Sequence, residues 1–225
     1  QRHLICRVLS VLQWAAAAFS HPHHLESAMS VVLDRHELLS RLQSGEVVII
    51  PTDTLPGVAA LPAHAQRIWE LKHRPADKPL ILMGATVEAL LRNVDQCCHA
   101  DAAVLARRYW PGPLTLVLPA RSGWVEQLNP RGLSLGCRIP ACSLTRQLLV
   151  ESGPLATSSA NVSGQPAASD EEESARQFPE IAQLGPQPWS PHSGQASTVL
   201  EWCGHNSWRC LRRGAVMPKG LKELN

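Results

Sequence analysis

Residues 46–60 read EVVIIPTDTLPGVAA, an apolar β-branched run delivered without a spacer into a loop of prolines and hydroxyls. The run at 46–50 has the length and residue types of a buried strand. The loop at 51–57 offers Thr52, Asp53 and Thr54 directly at the strand's end, and strand ends are where open α/β sheets collect ligands. Upstream, Leu33, Leu38, Leu39 and Leu42 recur at helical spacing, and Gly45 stands where a helix C-terminal glycine belongs. Downstream, a helix is expected over 63–72 with Ile68, Trp69 and Leu71 inward, ending near His73 or Arg74 because Pro75 disfavours helical geometry before it.

The same alternation continues along the chain. A strand is expected at 80–83, and helices at 86–91 and 101–109, the second capped by Asp101 and stopped by Pro111. Strand LTLVL (114–118) precedes a loop through Gly132, then a helix at 143–152 with Ser143 as cap and Gly153 as stop. A strand from 154 runs into Ser158, Ser159, Ala160 and Asn161. A helix at 170–177, a Pro/Ser/Gly-rich loop at 185–195 and strands at 197–202 and 208–212 complete the pattern. Some neighbouring strands are joined by too little chain for a helical crossover. The expectation is therefore a single α/β domain with a mixed parallel and antiparallel sheet.

With 225 residues the chain can bury one sizeable core. Hydrophobic residues at 44%, charged residues at 18% and a net charge of +2 fit a globular protein, and exclude a strongly basic nucleic-acid coat. Seven cysteines without a C-x-x-C pair speak against a disulfide framework or a zinc site, and for a reducing cytoplasm. Residues 1–29 differ from the rest. A basic start and a broken apolar run resemble a signal peptide, but Cys6, Arg7, Ser10 and Gln13 interrupt it, and it is too short to span a bilayer. The expected organisation is a disordered leader, or sequence upstream of a start at Met29, over 1–29, the domain over 30–218 and a tail over 219–225.

Four stretches carry chemistry: Thr52 with Asp53 and Thr54; Lys72, Arg74 and Lys78; Arg138; and Ser159 with Asn161 and Ser163. Cations near hydroxyls and an amide suit a nucleoside triphosphate beside a small polar co-substrate, since a guanidinium holds phosphate oxygens with two parallel hydrogen bonds. The chain has no G-x-x-x-x-G-K-[ST], no G-x-G-x-x-G and no H-E-x-x-H. The usual phosphate cradles and a zinc protease site are thus absent. Each stretch alone also has an ordinary reading, as a helix-end charge or a turn with local side-chain bonds. Spacing supports an anion-binding α/β protein and goes no further.

Taken together, PTDTLPGVAA, LKHRPADKPLILM, WPGPLTLVLPA, GCRIPA, PLATSSANVSGQPA, STVL and LRRGAV resemble, in that order, the blocks of the YrdC family, whose members make threonylcarbamoyl-AMP. The resemblance implies a twisted mixed sheet around a concave cationic cavity. It also implies ATP, L-threonine and bicarbonate as substrates, with Mg²⁺ accompanying ATP. By position, Lys72, Arg74, Lys78, Asn161, Ser163 and Arg212 would serve ATP, with Lys72 and Arg74 on its phosphates. Thr52, Thr115, Arg138, Ser159 and Ser197 would serve L-threonine. A contact with tRNA and a downstream threonylcarbamoyl transferase complex follow from the same resemblance; no resident metal and no membrane do. Leu55 and Pro56 stand where many members have Val-Tyr, Asp53 replaces a common Glu, and Met83 sits where some have His. Two rivals remain: a YciO-like protein of different activity, against which the Lys-x-Arg and Ser-x-Asn pairs argue, and an RNA-binding module, disfavoured by one Tyr and two Phe.

Overall fold

The run at 46–50 becomes strand β2 (Val48–Ile50), and its side chains divide between the two faces of a sheet. Val48 and Ile50 join one buried cluster with Leu38, Leu42, Leu148 and Leu155. Ile49 joins the other with Val58, Leu82 and Leu116. Successive strand side chains point to opposite faces, so an unbroken apolar run is what a strand covered on both sides requires. The structure, a computed structural model, describes residues 30–223 apart from Ala76 and Ser122. The leader expected over 1–29 lies outside the described residues.

Around β2 the chain runs β1 (Val32–Leu33), α1 (Arg35–Gln43), β2, β3 (Gly57–Ala60), α2 (Gln66–Lys72), β4 (Ile81–Met83), α3 (Val87–Leu91), α4 (His99–Tyr109) and β5 (Leu114–Pro119). It continues through α5 (Gly123–Leu128), β6 (Ser134–Arg138), α6 (Ser143–Ser152), β7 (Leu155–Ser159), α7 (Glu171–Gln177), β8 (Gln183–Leu184), β9 (Thr198–Trp202), β10 (Ser207–Arg212) and β11 (Lys222–Glu223). The strands form one sheet in the order β1-β8-β2-β3-β7-β4-β6-β5-β9-β10-β11. Neighbours β2 and β3, β3 and β7, β4 and β7, and β5 and β6 are antiparallel, while β4 and β6, and β5 and β9, are parallel. This is the mixed sheet that the short connections require. Residues 51–56 suffice for a hairpin and not for a crossover, which needs a dozen or more.

Local signals explain where the elements stop. Asp34 and Glu37 form a reciprocal capping box at the start of α1. At its end Gly45 (φ +86) lets its own N–H reach Leu42 O and the Glu46 N–H reach Arg41 O, which satisfies the last carbonyls. Helix α2 ends at His73 in the left-handed region (φ 48). Several expectations are corrected. Leu33 lies in β1 and not on the helix. Asp101 does not cap α4, because its carboxylate accepts from the Trp202 indole and the Asn206 amide and so ties the helix to the β9–β10 turn. Ser143 is the first residue of α6 and not its cap. Helix α5 occupies a stretch that sequence reading treated as loop, and strands β3 and β6 fall largely where it named no element. Among the described residues no helix is long and apolar enough to cross a membrane.

Candidate active site

The ends of the central strands open on a cavity of about 330 Å³. Its first wall is the loop after β2. Thr52 folds that loop on itself: its Oγ1 donates to Leu55 O (2.7 Å) and accepts from the amides of Thr54 (3.0 Å) and Leu55 (3.2 Å). This local bonding is the turn chemistry of threonine, and it leaves Thr52 only 5% exposed. Asp53 and Thr54 then face β6. Arg138, at the end of β6 and 5% exposed, donates through Nε to Gly112 O (3.1 Å), through Nη1 to Thr54 Oγ1 (2.9 Å) and through Nη2 to Asp53 Oδ1 (2.8 Å). A guanidinium carries five N–H groups, so two remain for a ligand. Burial works against its charge and Asp53 works for it, burial being the larger.

The opposite wall is a chain of hydroxyls ending in a second guanidinium. Thr115 Oγ1 on β5 meets Ser197 Oγ at 2.8 Å, and Ser197 accepts from Arg212 at both its hydroxyl (3.1 Å) and its carbonyl (3.0 Å). The third guanidinium, Arg74, is half-buried. It grips its own loop by donating to Lys78 O (3.2 Å) and Pro79 O (3.1 Å), and the Trp69 indole also donates to Lys78 O (3.0 Å). Burial is the main force on its pKa and lowers it, against the pull of Asp77. Arg74, Arg138 and Arg212 thus share one cavity with Thr52, Thr115, Ser159, Asn161 and Ser197.

Three of the expected residues lie elsewhere. Lys78 is exposed and Ser163 is half-buried, and neither lines the cavity. Ser163 donates its amide to Lys72 O (2.9 Å). Lys72 is 1% exposed and turned away from the cavity, its Nζ donating to Ser159 O, to Asn161 O (2.6 Å) and to Asn161 Oδ1 (3.2 Å). Sequence reading also missed partners that the fold supplies. Thr157 lines the cavity from β7, and the amides of Ser193 and Gly194 reach Asp53 O and Thr54 O (3.2 Å each), strapping the Pro/Ser/Gly-rich loop over the first wall. No side chain of the described wall is aromatic; Leu55 and Pro56 stand there instead.

The buried ammonium has a consequence for stability. Burial, and after it the charge of Arg74, pull Lys72 from 10.5 down to about 7. As pH rises through about 7, the folded chain releases this proton while the unfolded chain keeps it up to 10.5. The unfolded state then binds more protons, so this group makes folding more favourable as pH rises. Cys98 and Cys137, pushed up by burial to about 11 and about 12, act in the opposite sense once unfolded thiols ionise near 9.0, and that contribution cancels between variants. The Tm of the wild type is expected to rise from pH 7 toward pH 9.0 relative to that of Lys72→Met. Parallel profiles for the two proteins would show that Lys72 does not titrate there.

With this geometry in place, the family model for Sua5/YciO/YrdC proteins, described as telomere recombination, matches residues 40–214. The chain belongs to the Sua5/YciO/YrdC family. Among its relatives is a threonylcarbamoyl-AMP synthase of Bacillus subtilis, 37% identical over 81% of this chain and 54% of that protein. A threonylcarbamoyl-AMP synthase of Pyrococcus abyssi is 38% identical over 61% of this chain and 41% of its own length. The chain therefore spans about half the length of these curated relatives. The crystal structure of P. abyssi Sua5 complexed with L-threonine superimposes with a TM-score of 0.75 at 29% identity, covering 83% of this chain and 57% of that one. The matched residues 40–214 include β2 through β10 and every residue that lines the cavity.

Proposed function

We propose that this chain is an enzyme that forms threonylcarbamoyl-AMP and pyrophosphate from L-threonine, bicarbonate and ATP by nucleotidyl transfer. The observation that carries the reading is the convergence of Arg74, Arg138 and Arg212 with a set of hydroxyls and one amide on a single cavity. In the reaction the threonine nitrogen takes up bicarbonate carbon with loss of water. The resulting carbamate oxygen attacks the α-phosphorus, and the bond to the β-phosphate bridging oxygen breaks with pyrophosphate leaving. Such a step needs alignment and charge stabilisation more than covalent help. Arg138, with two N–H groups left, suits the threonine carboxylate, and Thr52, Thr115, Ser159 and Ser197 suit its polar groups. Arg74, Arg212 and Asn161 suit the nucleotide, with Lys78 and Ser163 flanking it from outside the wall. Among the described residues no group of three or more His, Cys, Asp or Glu side chains is placed to hold a metal ion. On this reading Mg²⁺ would come to the site with ATP.

The product is a mixed anhydride that water destroys, so it must pass quickly to a transferase complex that moves the threonylcarbamoyl group to tRNA, in the cytoplasm. A contact between the cationic face and that tRNA belongs to the same reading. The test is pyrophosphate release from ATP by purified protein, expected only when L-threonine and bicarbonate are both present. Release without either co-substrate, or none from folded protein with both, would overturn the reading.

A further inference from the structure

Lys72 stands behind the cavity wall and not in it. An ammonium has three protons, and three oxygens take them: Ser159 O, Asn161 O and Asn161 Oδ1. No proton is left for a phosphate. The backbone of the same residue acts on the same turn, since Lys72 O accepts the Ser163 amide at 2.9 Å. Lys72 therefore holds residues 159–163 at two points, and its side chain draws together two carbonyls that would otherwise repel.

The tie also sets the polarity of the groups that face the ligand. Asn161 Oδ1 receives Lys72 on one side and the Ser159 hydroxyl (2.6 Å) on the other, while Asn161 Nδ2 donates to Val162 O (3.0 Å) and Gln165 O (2.8 Å). Two donors converging on Oδ1 and two acceptors on Nδ2 fix which way the amide is turned. With its proton committed to Asn161, the Ser159 oxygen presents only lone pairs to the cavity and accepts from a ligand hydroxyl, amine or amide.

Resting on the synthase reading, we propose that Lys72 is a positioning residue, which acts through Ser159 and Asn161 to fix the turn and its hydrogen-bond polarity, and that it makes no contact with the ATP phosphates. The role matches that of an outer partner that orients a ligating group, whose loss typically lowers activity about 10- to 100-fold.

The experiment uses the full chain and the variants Lys72→Met, Lys72→Gln, Asn161→Ala and the double variant Lys72→Met/Asn161→Ala. Either Lys72 variant serves if thermal unfolding shows it folded. In unliganded protein, the Asn161 side-chain amide protons are expected to be well separated in the wild type and to shift or broaden in the Lys72 variants; unchanged resonances would overturn the tie. In turnover, the double variant is expected to lose no more kcat/KM than Asn161→Ala alone, because Lys72 works through that residue. Losses that multiply, together with weakened binding of inorganic pyrophosphate in Lys72→Met, would make Lys72 a phosphate ligand and overturn the proposal. Wild-type protein without turnover would sink the synthase reading instead, and the amide resonances would still decide the tie.

Discussion

Replacing Arg138 with methionine is expected to weaken L-threonine binding severely and to destabilise the fold by about 3 kcal/mol, the lower end for breaking one side of a buried pair. Two separate causes act. The first is local: Asp53 loses the partner at 2.8 Å, and its Oδ2 already has no hydrogen-bond partner, so a mostly buried carboxylate is left with only the Ala141 amide. The second concerns the ligand, because the two unused N–H groups of Arg138 disappear; for a carboxylate ligand the expected loss in Kd is on the order of 10²–10³-fold. Adding Asp53→Asn to Arg138→Met separates the causes. The double variant no longer carries the stranded charge and is expected to recover much of the lost Tm while still binding L-threonine only weakly in calorimetry. Wild-type threonine affinity in folded Arg138→Met would remove Arg138 from the carboxylate role.

The pair of Asp53 and Arg138 shows what sequence reading reaches and what it does not. Both residues stood out by position, Asp53 in the hydroxyl loop and Arg138 after an apolar run, yet 85 residues separate them. Nothing in local spacing says that one orients the other. Lys72 makes the point more strongly. Beside Arg74 in the sequence it looked like half of a phosphate clamp, but its acceptors lie 87 and 89 residues away, and they turn it inward. Strand β2 was legible because an apolar β-branched run has few other uses. Strand β3 was not, because Gly57, Ala59 and Ala60 carry little β-propensity of their own and Val58 alone does not make a run; pairing with β2 and β7 on either side makes them a strand. Gly57 fits closely there, since a Cβ would stand 3.1 Å from Ser158 O of the paired strand, tighter than an ordinary contact. The elements that failed to announce themselves are those held by neighbours, and the cavity is built where such neighbours meet.

That distinction leads to Arg74→Ala, the variant expected to separate activity from stability most cleanly. Arg74 lines the cavity and, unlike Lys72 and Arg138, is half-buried, and its guanidinium donates to carbonyls of its own loop, Lys78 O and Pro79 O. Trp69 also donates to Lys78 O, so the loop keeps one anchor when the guanidinium is removed. The stability cost is therefore expected to be about 1 kcal/mol, the net worth of ordinary hydrogen bonds. Catalysis should respond far more. A preorganised donor aimed at developing charge is worth about 10²–10³ in rate, and the loss should fall on kcat/KM for ATP with L-threonine affinity unchanged. Arg74→Lys keeps the charge but lacks the planar fork, so it is expected to recover only part of the rate. If Arg74→Ala turns over ATP at the wild-type rate, the phosphates do not lie against α2 and its loop. Arg212 would then be the remaining guanidinium able to hold them, since Arg138 spends three N–H groups on Asp53, Thr54 and Gly112 and its other two suit the threonine carboxylate.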